Sequence, residues 1–261
     1  MPLISVITIN YNNARGLQKT IASVLSQSVQ DYEYIIVDGG STDNSHAIIE
    51  QYRGSFDYII SEPDAGIYDA MNKGIRKANG EYLMFLNSGD CLVNENLFGL
   101  FIARQKINRS PIYYGNILLQ QASGDQAVQT YPVSLTLDFW KHYTINHQAS
   151  FISKALFSDL GFYEMEYTHA ADYAFFLKCF IAGKRFEYLD AVWVHYTLDG
   201  ESSKEQVLYE AQRRKAWVTI VPLWGEQLLR YQVEQQQWQQ QRLIKWANKG
   251  QELLNKWKRK S

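Results

Sequence analysis

The chain has 261 residues, 46% hydrophobic and 20% charged, enough to bury a substantial core in one large domain and too many for a lone small binding module. Its 26 Lys and Arg against 27 Asp and Glu leave a net charge of -1, which excludes the broad basic surface of a general nucleic-acid binder. Aromatic content is 14%, with 18 Tyr and 7 Trp, a surplus that suits packing as well as flat ligands such as sugars and bases. The opening MPLISVITINY enters a strand pattern without a basic n-region or cleavage site, and no apolar run reaches the roughly 18 residues that span a bilayer. A soluble or peripheral cytoplasmic protein is expected. Cys91 and Cys179 lie far apart in apolar segments, as reduced, buried thiols of a reducing compartment would.

In chain order, the first hundred residues alternate β-rich runs with helical patterns. ISVITINY (4–11) precedes a helix around 17–26, and YEYIIVDGG (32–40) precedes one around 44–52. FDYIISE (56–62) leads to a helix in GIYDAMNKGIRKA (66–78), and EYLMFLN (81–87) leads to one near 95–107. This βα rhythm predicts an α/β fold with a mostly parallel sheet flanked by helices on both faces. Beyond residue 110 the rhythm changes. PIYYGNILLQ (111–120) and QAVQTYP (126–132) read as strands of a mixed or antiparallel ribbon joined by ASGD, followed by helices around 155–160 and 170–182. A strand in RFEYLDAVWVHYTL (185–198) comes next, and from about Lys204 the pattern is helical, so 204–261 reads as a helical C-terminal extension of a 1–203 domain.

Ligands of open α/β sheets bind above the carboxyl ends of the strands, and here each of the first strands ends in hydrogen-bonding side chains. They are Thr8, Asn10 and Tyr11; Asp38 with Gly40 and Ser41; Glu62 and Asp64; and Asn87, Ser88 and Asp90. Such ends in register predict a polar cleft. No GxGxxG or GxxxxGK[ST] follows the first strand, which argues against a dinucleotide or P-loop site. Taken singly, the motifs stay open: DGGST is also an ordinary turn with a Ser/Thr cap, and NSGD (87–90) is also an Asx-type turn before the next helix.

Taken together, ISVITINYNN, IIVDGGSTDNS, SEPDAGIYDAMNKGI and ANGEYLMFLNSGD resemble the inverting glycosyltransferases of family 2, of the bacterial surface-polysaccharide type. The likeness is dense over residues 3–100 and thinner to about 205. It implies the GT-A nucleotide-sugar fold, with a nucleotide-binding half (1–100) and an acceptor half (101–203). It also implies that Thr8, Asn10 and Tyr11 line the base and ribose pocket, that Asp38 and Gly40 belong to it, and that Asp69, Asn72 and Lys73 lie beside the nucleotide. For Lys73 a solvated helix face is the alternative. Related members often carry Arg before that Asn, where this chain has Met71, so the base stays open, with UDP the first expectation. NSGD takes the place of the family's DXD metal motif. Asn87 and Ser88 would contact the donor, and Asp90 would hold Mn2+ or Mg2+ shared with the diphosphate.

In the second half, the resemblance makes Asp172, in THAADYAFFLKCF, the catalytic base; the alternative is a carboxylate serving the helix dipole. His147 and Gln148, in INHQASF, resemble a pair that faces donor sugar or acceptor, although a lone His is also an ordinary core residue. His195 is a further candidate metal ligand, and residues 198–203, around Gly200, form a candidate lid. The segment 242–261 carries seven Lys or Arg against Glu252, interleaved with Leu243, Ile244, Trp246, Leu253, Leu254 and Trp257. It reads as an amphipathic helix for an anionic membrane surface at the inner face of the cytoplasmic membrane, or for packing on the domain or on a second subunit in a homodimer. The expected function is metal-dependent inverting sugar transfer from a nucleoside diphosphate sugar to a glycan or lipid-linked acceptor. The alternatives are a carbohydrate-binding scaffold without catalysis and a sugar-phosphate nucleotidyltransferase.

Overall fold

The computed structural model describes residues 2–120, 124–197, 206–221 and 225. Strands β1 (Ile4–Asn10), β2 (Glu33–Asp38), β3 (Tyr58–Ser61) and β4 (Tyr82–Asn87) are parallel in the spatial order β3-β2-β1-β4, with Val6 registered against Tyr34 on one side and Met84 on the other. Every residue of β1 and β2 is buried, as expected of continuous apolar runs covered on both faces.

The covering helices follow from sequence periodicity. Helix α1 (Ala14–Leu25) starts where the Asn13 side chain accepts the Gly16 N–H at 3.0 Å, an N-cap that satisfies one of the orphan donors of the first turn. Its Leu17, Ile21 and Val24 share one stripe, packed with Ile48 and Ile49 of α2 (Ser45–Gln51) and with Leu97, Phe98 and Phe101 of α4 (Leu97–Ile107). Helix α3 (Ile67–Lys77) rests directly on β1, because a Cβ at Gly74 would lie 2.4 Å from Cγ2 of Ile7.

The second half extends the same sheet. After the short β5 (Cys91–Leu92) come β6 (Ile112–Gln120), β7 (Gln126–Gln129), β8 (Ser150–Ser153) and β9 (Phe186–Thr197), giving a nine-stranded sheet in the order β3-β2-β1-β4-β8-β6-β9-β5, with β7 on β6. The β6–β7 ribbon is antiparallel, as its pattern predicts. β8 runs antiparallel between β4 and β6, so the turn that enters β8 lies beside the carboxyl end of β4. Helices α5 (Leu137–His142), α6 (Lys154–Leu160), α7 (Ala171–Ile181) and α8 (Gln206–Ile220) complete the described α-helices, beside short 3-10 turns at Arg53–Ser55 and His147–Ala149. The sequence pattern does not foresee β5, α5 or β8.

The compact unit runs from Met1 to Ile220, and Val221–Ser261 separates as a second unit. Helix α8 thus lies within the compact unit. The reason is that α8 docks on α7 and the segment before it: Gln212 accepts the His169 N–H at 2.8 Å, Arg213 lies 5.7 Å from the Tyr173 ring centroid, and Lys215 pairs with Glu166 at 2.6 Å. The candidate lid at 198–203 and the basic segment 242–261 lie outside the described residues. Among the described residues no helix is long and apolar enough to cross a membrane. Both cysteines are free; Cys179 is buried, but Cys91 is partly exposed.

Candidate active site

The carboxyl ends of β1, β2 and β4, the first turns of α1, α3 and α7 and the turn entering β8 surround a cleft of about 1490 Å³. Its floor on the β1–β2 side is built from side chains at the ends of neighbouring strands that bond to one another. The Asn10 amide donates to Asp38 Oδ1 at 2.8 Å and to Ser41 Oγ at 3.1 Å, while Asn10 Oδ1 accepts from Ser88 Oγ at 2.8 Å. Asp38 is fully buried and also accepts the Ser41 N–H at 3.0 Å and the Ser61 hydroxyl at 3.1 Å. Burial works to raise its pKa, but these donors outweigh burial and hold the carboxyl below its ordinary value. Asp38 is thus a brace beneath the floor, outside the cleft lining. Thr8 is likewise buried, 3.1 Å from the Tyr34 hydroxyl. Above the brace, Tyr11 is 66% exposed, and Gly40 adopts φ +80°, a backbone shape that disfavours side chains.

The three candidate residues of α3 do not line the cleft. Asp69 accepts the Ala65 N–H at 3.1 Å, and Lys73 reaches Glu62 at 3.0 Å and the Pro63 carbonyl at 2.9 Å. These contacts fix the 62–66 loop, whose Pro63, Asp64 and Gly66 do line it. Asn72 is buried and pairs with the Tyr163 backbone, donating to its carbonyl at 2.9 Å and accepting its N–H at 3.1 Å. Met71 is fully buried in the core.

The end of β4 and the turn after it place Asn87, Ser88 and Asp90 on the cleft wall. Asp90 is only 5% exposed, and its Oδ2 accepts the Asn87 N–H at 3.0 Å. Burial pushes its carboxyl up to about 6, against the opposing pull of the His147 charge, the Asn87 N–H and the Gln148 side chain. This carboxylate is short of positive charge. Asn87 Oδ1, Gln148 Oε1 and His147 Nε2 are buried without hydrogen-bond partners, an arrangement that calls for a ligand. Among the described residues no three His, Cys, Asp or Glu side chains cluster as a ready-made metal cage. One carboxylate with orphaned amide oxygens fits a hard cation that arrives together with phosphate oxygens. His195 stands on β9 opposite Cys91, with Nε2 buried and unpartnered, and is not among the residues lining the cleft.

Across from this turn, Asp172 enters the cleft from the first turn of α7. Its Oδ1 accepts the Tyr68 hydroxyl and the Tyr173 N–H, both at 2.8 Å, and its Oδ2 lies 2.7 Å from His147 Nδ1. Burial works to raise its pKa, but His147, Tyr68 and the Tyr173 N–H outweigh burial and hold the carboxyl below its ordinary value. Two carboxylates therefore share one cleft in opposite electrostatic settings, with His147 close to both.

The sequence model described as "Glycosyl transferase family 2" matches residues 5–165. The chain belongs to glycosyl transferase family 2. It is 34% identical over 180 residues to an uncharacterized glycosyltransferase of Mycobacterium tuberculosis, covering 68% of each chain. It is 31% identical over 187 residues to a PGL/p-HBAD biosynthesis glycosyltransferase of Mycobacterium bovis, covering 69% of this chain and 70% of the relative. A 92-residue stretch, 34% of this chain and 36% of the relative, is 40% identical to the putative teichuronic acid biosynthesis glycosyltransferase TuaG of Bacillus subtilis.

The fold is similar to that of S. aureus TarS solved with UDP, with TM-score 0.63 and 21% identity; the match covers 80% of this chain and 64% of that one. It is also similar to the mannosyltransferase PcManGT from Pyrobaculum calidifontis solved with GDP-Man and Mn2+, with TM-score 0.61 and 14% identity, covering 81% and 61%. The match thus spans less than two thirds of either solved chain.

In this family 2 glycosyltransferase, Asn10, Tyr11, Gly40, Asn87, Ser88, Asp90, His147, Gln148 and Asp172 come together on the cleft, whereas Thr8, Asp38, Asp69, Asn72, Lys73 and His195 lie outside its lining. Sequence reasoning missed Tyr68, which holds Asp172, and also Arg15 and Lys19, which line the rim. The signal for Tyr68 was its place beside Asp69 in an already suspect motif; Arg15 and Lys19 look like any exposed face of a helix.

Proposed function

We propose that this enzyme moves one sugar from a nucleoside diphosphate sugar, UDP-linked by first expectation, to a hydroxyl of a glycan or lipid-linked oligosaccharide in cell-surface polysaccharide synthesis, inverting the anomeric carbon. The observation that carries the reading is that Asp90 and Asp172 line one cleft with His147 close to both. UDP in TarS and GDP-Man with Mn2+ in PcManGT support a nucleotide-sugar donor. The relatives named for PGL/p-HBAD and teichuronic acid biosynthesis support a surface-glycan acceptor.

Asn10, Tyr11 and Gly40 would seat base and ribose, with Asp38 bracing that floor from below. Asp69, Asn72 and Lys73 would act on the donor indirectly, by fixing the 62–66 loop and the 163 segment. Asp90, with the amide oxygen of Asn87, would hold Mn2+ or Mg2+, which when bound neutralises charge on the departing diphosphate. His147 and Gln148 would border the transferred sugar. Asp172 would accept the proton of the attacking hydroxyl. Its depressed pKa keeps it ionised, and so ready to accept a proton, at neutral pH.

A thermal-shift panel of UDP, GDP, dTDP and CDP and their sugars, with and without Mn2+, tests the donor class, because a ligand that binds only the folded state raises its melting temperature. One nucleotide should stabilise the protein in a Mn2+-dependent way. If no nucleotide shifts the melting temperature, the reading is wrong.

A further inference from the structure

The donor and acceptor sides leave one buried polar group of the cleft without a role, the hydroxyl of Tyr68. An ionised carboxylate offers about four lone-pair directions, and three of those on Asp172 are taken. Oδ1 receives two donors, the Tyr68 O–H and the Tyr173 N–H, each at 2.8 Å. Oδ2 receives one, from His147 Nδ1 at 2.7 Å. We propose that Tyr68 is a positioning residue for sugar transfer: by filling Oδ1 it leaves the open lone pair on Oδ2 and makes that oxygen the proton acceptor. The inference rests on Asp172 being the base, as proposed above.

Tyr68 is well placed to impose a fixed orientation. It is 5% exposed, and its ring packs at a tilt against Tyr163, centroids 5.5 Å apart. Its helix is anchored a turn later by the Asn72 pairing with the Tyr163 backbone and by Lys73 on the Pro63 carbonyl. The phenol therefore approaches Asp172 from a rigid element, and a carboxylate clamped at Oδ1 cannot rotate to offer either oxygen indifferently. In the reaction the acceptor oxygen bonds to the anomeric carbon, the bond from that carbon to the diphosphate oxygen breaks with its electrons leaving on the diphosphate, and the hydroxyl proton passes to Oδ2.

The groups facing Asp172 are Tyr68 from α3, His147 from the turn before β8, Tyr163 from the segment after α6 and Tyr209 from α8. Burial raises the pKa of each of the three phenols, so they stay neutral in an ordinary assay range. Removing the Tyr68 hydroxyl takes away a donor to the charged form of Asp172, which moves that carboxyl upward.

The test compares Tyr68→Phe and Asp172→Asn with the wild type, using the donor that the nucleotide panel selects and water as acceptor, while UDP and GDP affinity in Mn2+ and melting temperature are measured in parallel. Tyr68→Phe should lower kcat by about 10- to 100-fold with little change in donor KM, and should move the acid limb of kcat to higher pH. Unchanged kcat and acid limb, with Asp172→Asn inactive, would overturn the role of Tyr68 alone. Loss of nucleotide affinity or of melting temperature sufficient to account for the lost rate would make Tyr68 a packing residue and overturn it equally. Full turnover by Asp172→Asn would instead remove the assignment of the base, and the inference with it.

Discussion

The two halves of the sheet reach the same cleft by different means. On the β1–β4 side, the functional groups sit where the strand ends: Asn10, Gly40 and Asp90 all lie within three residues of a strand terminus. On the other side, the groups come from distant segments. Tyr68 and Asp172 are 104 residues apart, and His147 and Asp172 are 25 apart. The donor-side groups take their places from the strand ends, although they bond to one another across 28 to 78 residues, whereas the groups around Asp172 come from helices and turns with no such common position. Mutations should therefore separate nucleotide binding from transfer.

The sharpest way to break this division is Asp172→Asn. An amide cannot take the proton, so transfer should fall by about 10²- to 10⁴-fold, while nucleotide affinity measured by calorimetry stays nearly intact. Parallel loss of affinity would mean that the two sides are not separable.

Asp90→Asn should act on the donor side, abolishing Mn2+-dependent nucleotide binding and with it turnover. Its effect on stability has the opposite sign. The folded carboxyl is raised from 3.8 to about 6, so the stability linked to its proton is fully present below about pH 4 and is lost as pH rises through about 6. At neutral pH the metal-free Asn variant should then melt higher than wild type, by up to about 3 kcal/mol in stability, with the advantage vanishing toward pH 4. A variant that melts lower at pH 7.5 would show that Asp90 is a structural carboxylate.

Asn72→Ala tests the joint between the halves, since it orphans the Tyr163 backbone N–H and carbonyl. A loss of roughly 2–3 kcal/mol in chemical denaturation is expected, with transfer impaired more than nucleotide binding because Tyr163 packs on Tyr68. The smallest effect should come from Gly40→Ala. Its φ of +80° and a Cβ only 3.2 Å from Pro63 N predict about 1–2 kcal/mol of strain and a modest rise in the nucleotide dissociation constant.

Much of this molecule was legible before its structure. The apolar runs at 4–10, 33–38 and 82–87 are buried strands because chains covered on both faces need no alternation. Asn10, Gly40, Asp90 and Asp172 were named from their turns and from the resemblance, and they face the cleft. Other candidate residues lie outside the cleft lining. Asp38 and Asn72 have the chemistry of ligand-binding residues, yet Ser41 and Ser61 consume the first and the Tyr163 backbone consumes the second. Residue type announces hydrogen-bonding capacity, but only the neighbours decide who receives it. The four residues of β8 carry too little pattern to be seen alone, and they become a strand because β4 and β6 flank them.

By itself, then, the sequence determined the βα rhythm, the polar strand ends and the family, because hydrophobic periodicity and turn chemistry act over a few residues. Tertiary structure alone decided that Tyr68, His147 and Asp172 meet, that Asp90 and Asp172 are driven in opposite electrostatic directions, and that α8 belongs to the compact unit. Those outcomes depend on burial and on contacts between residues tens of positions apart, which a linear pattern does not encode.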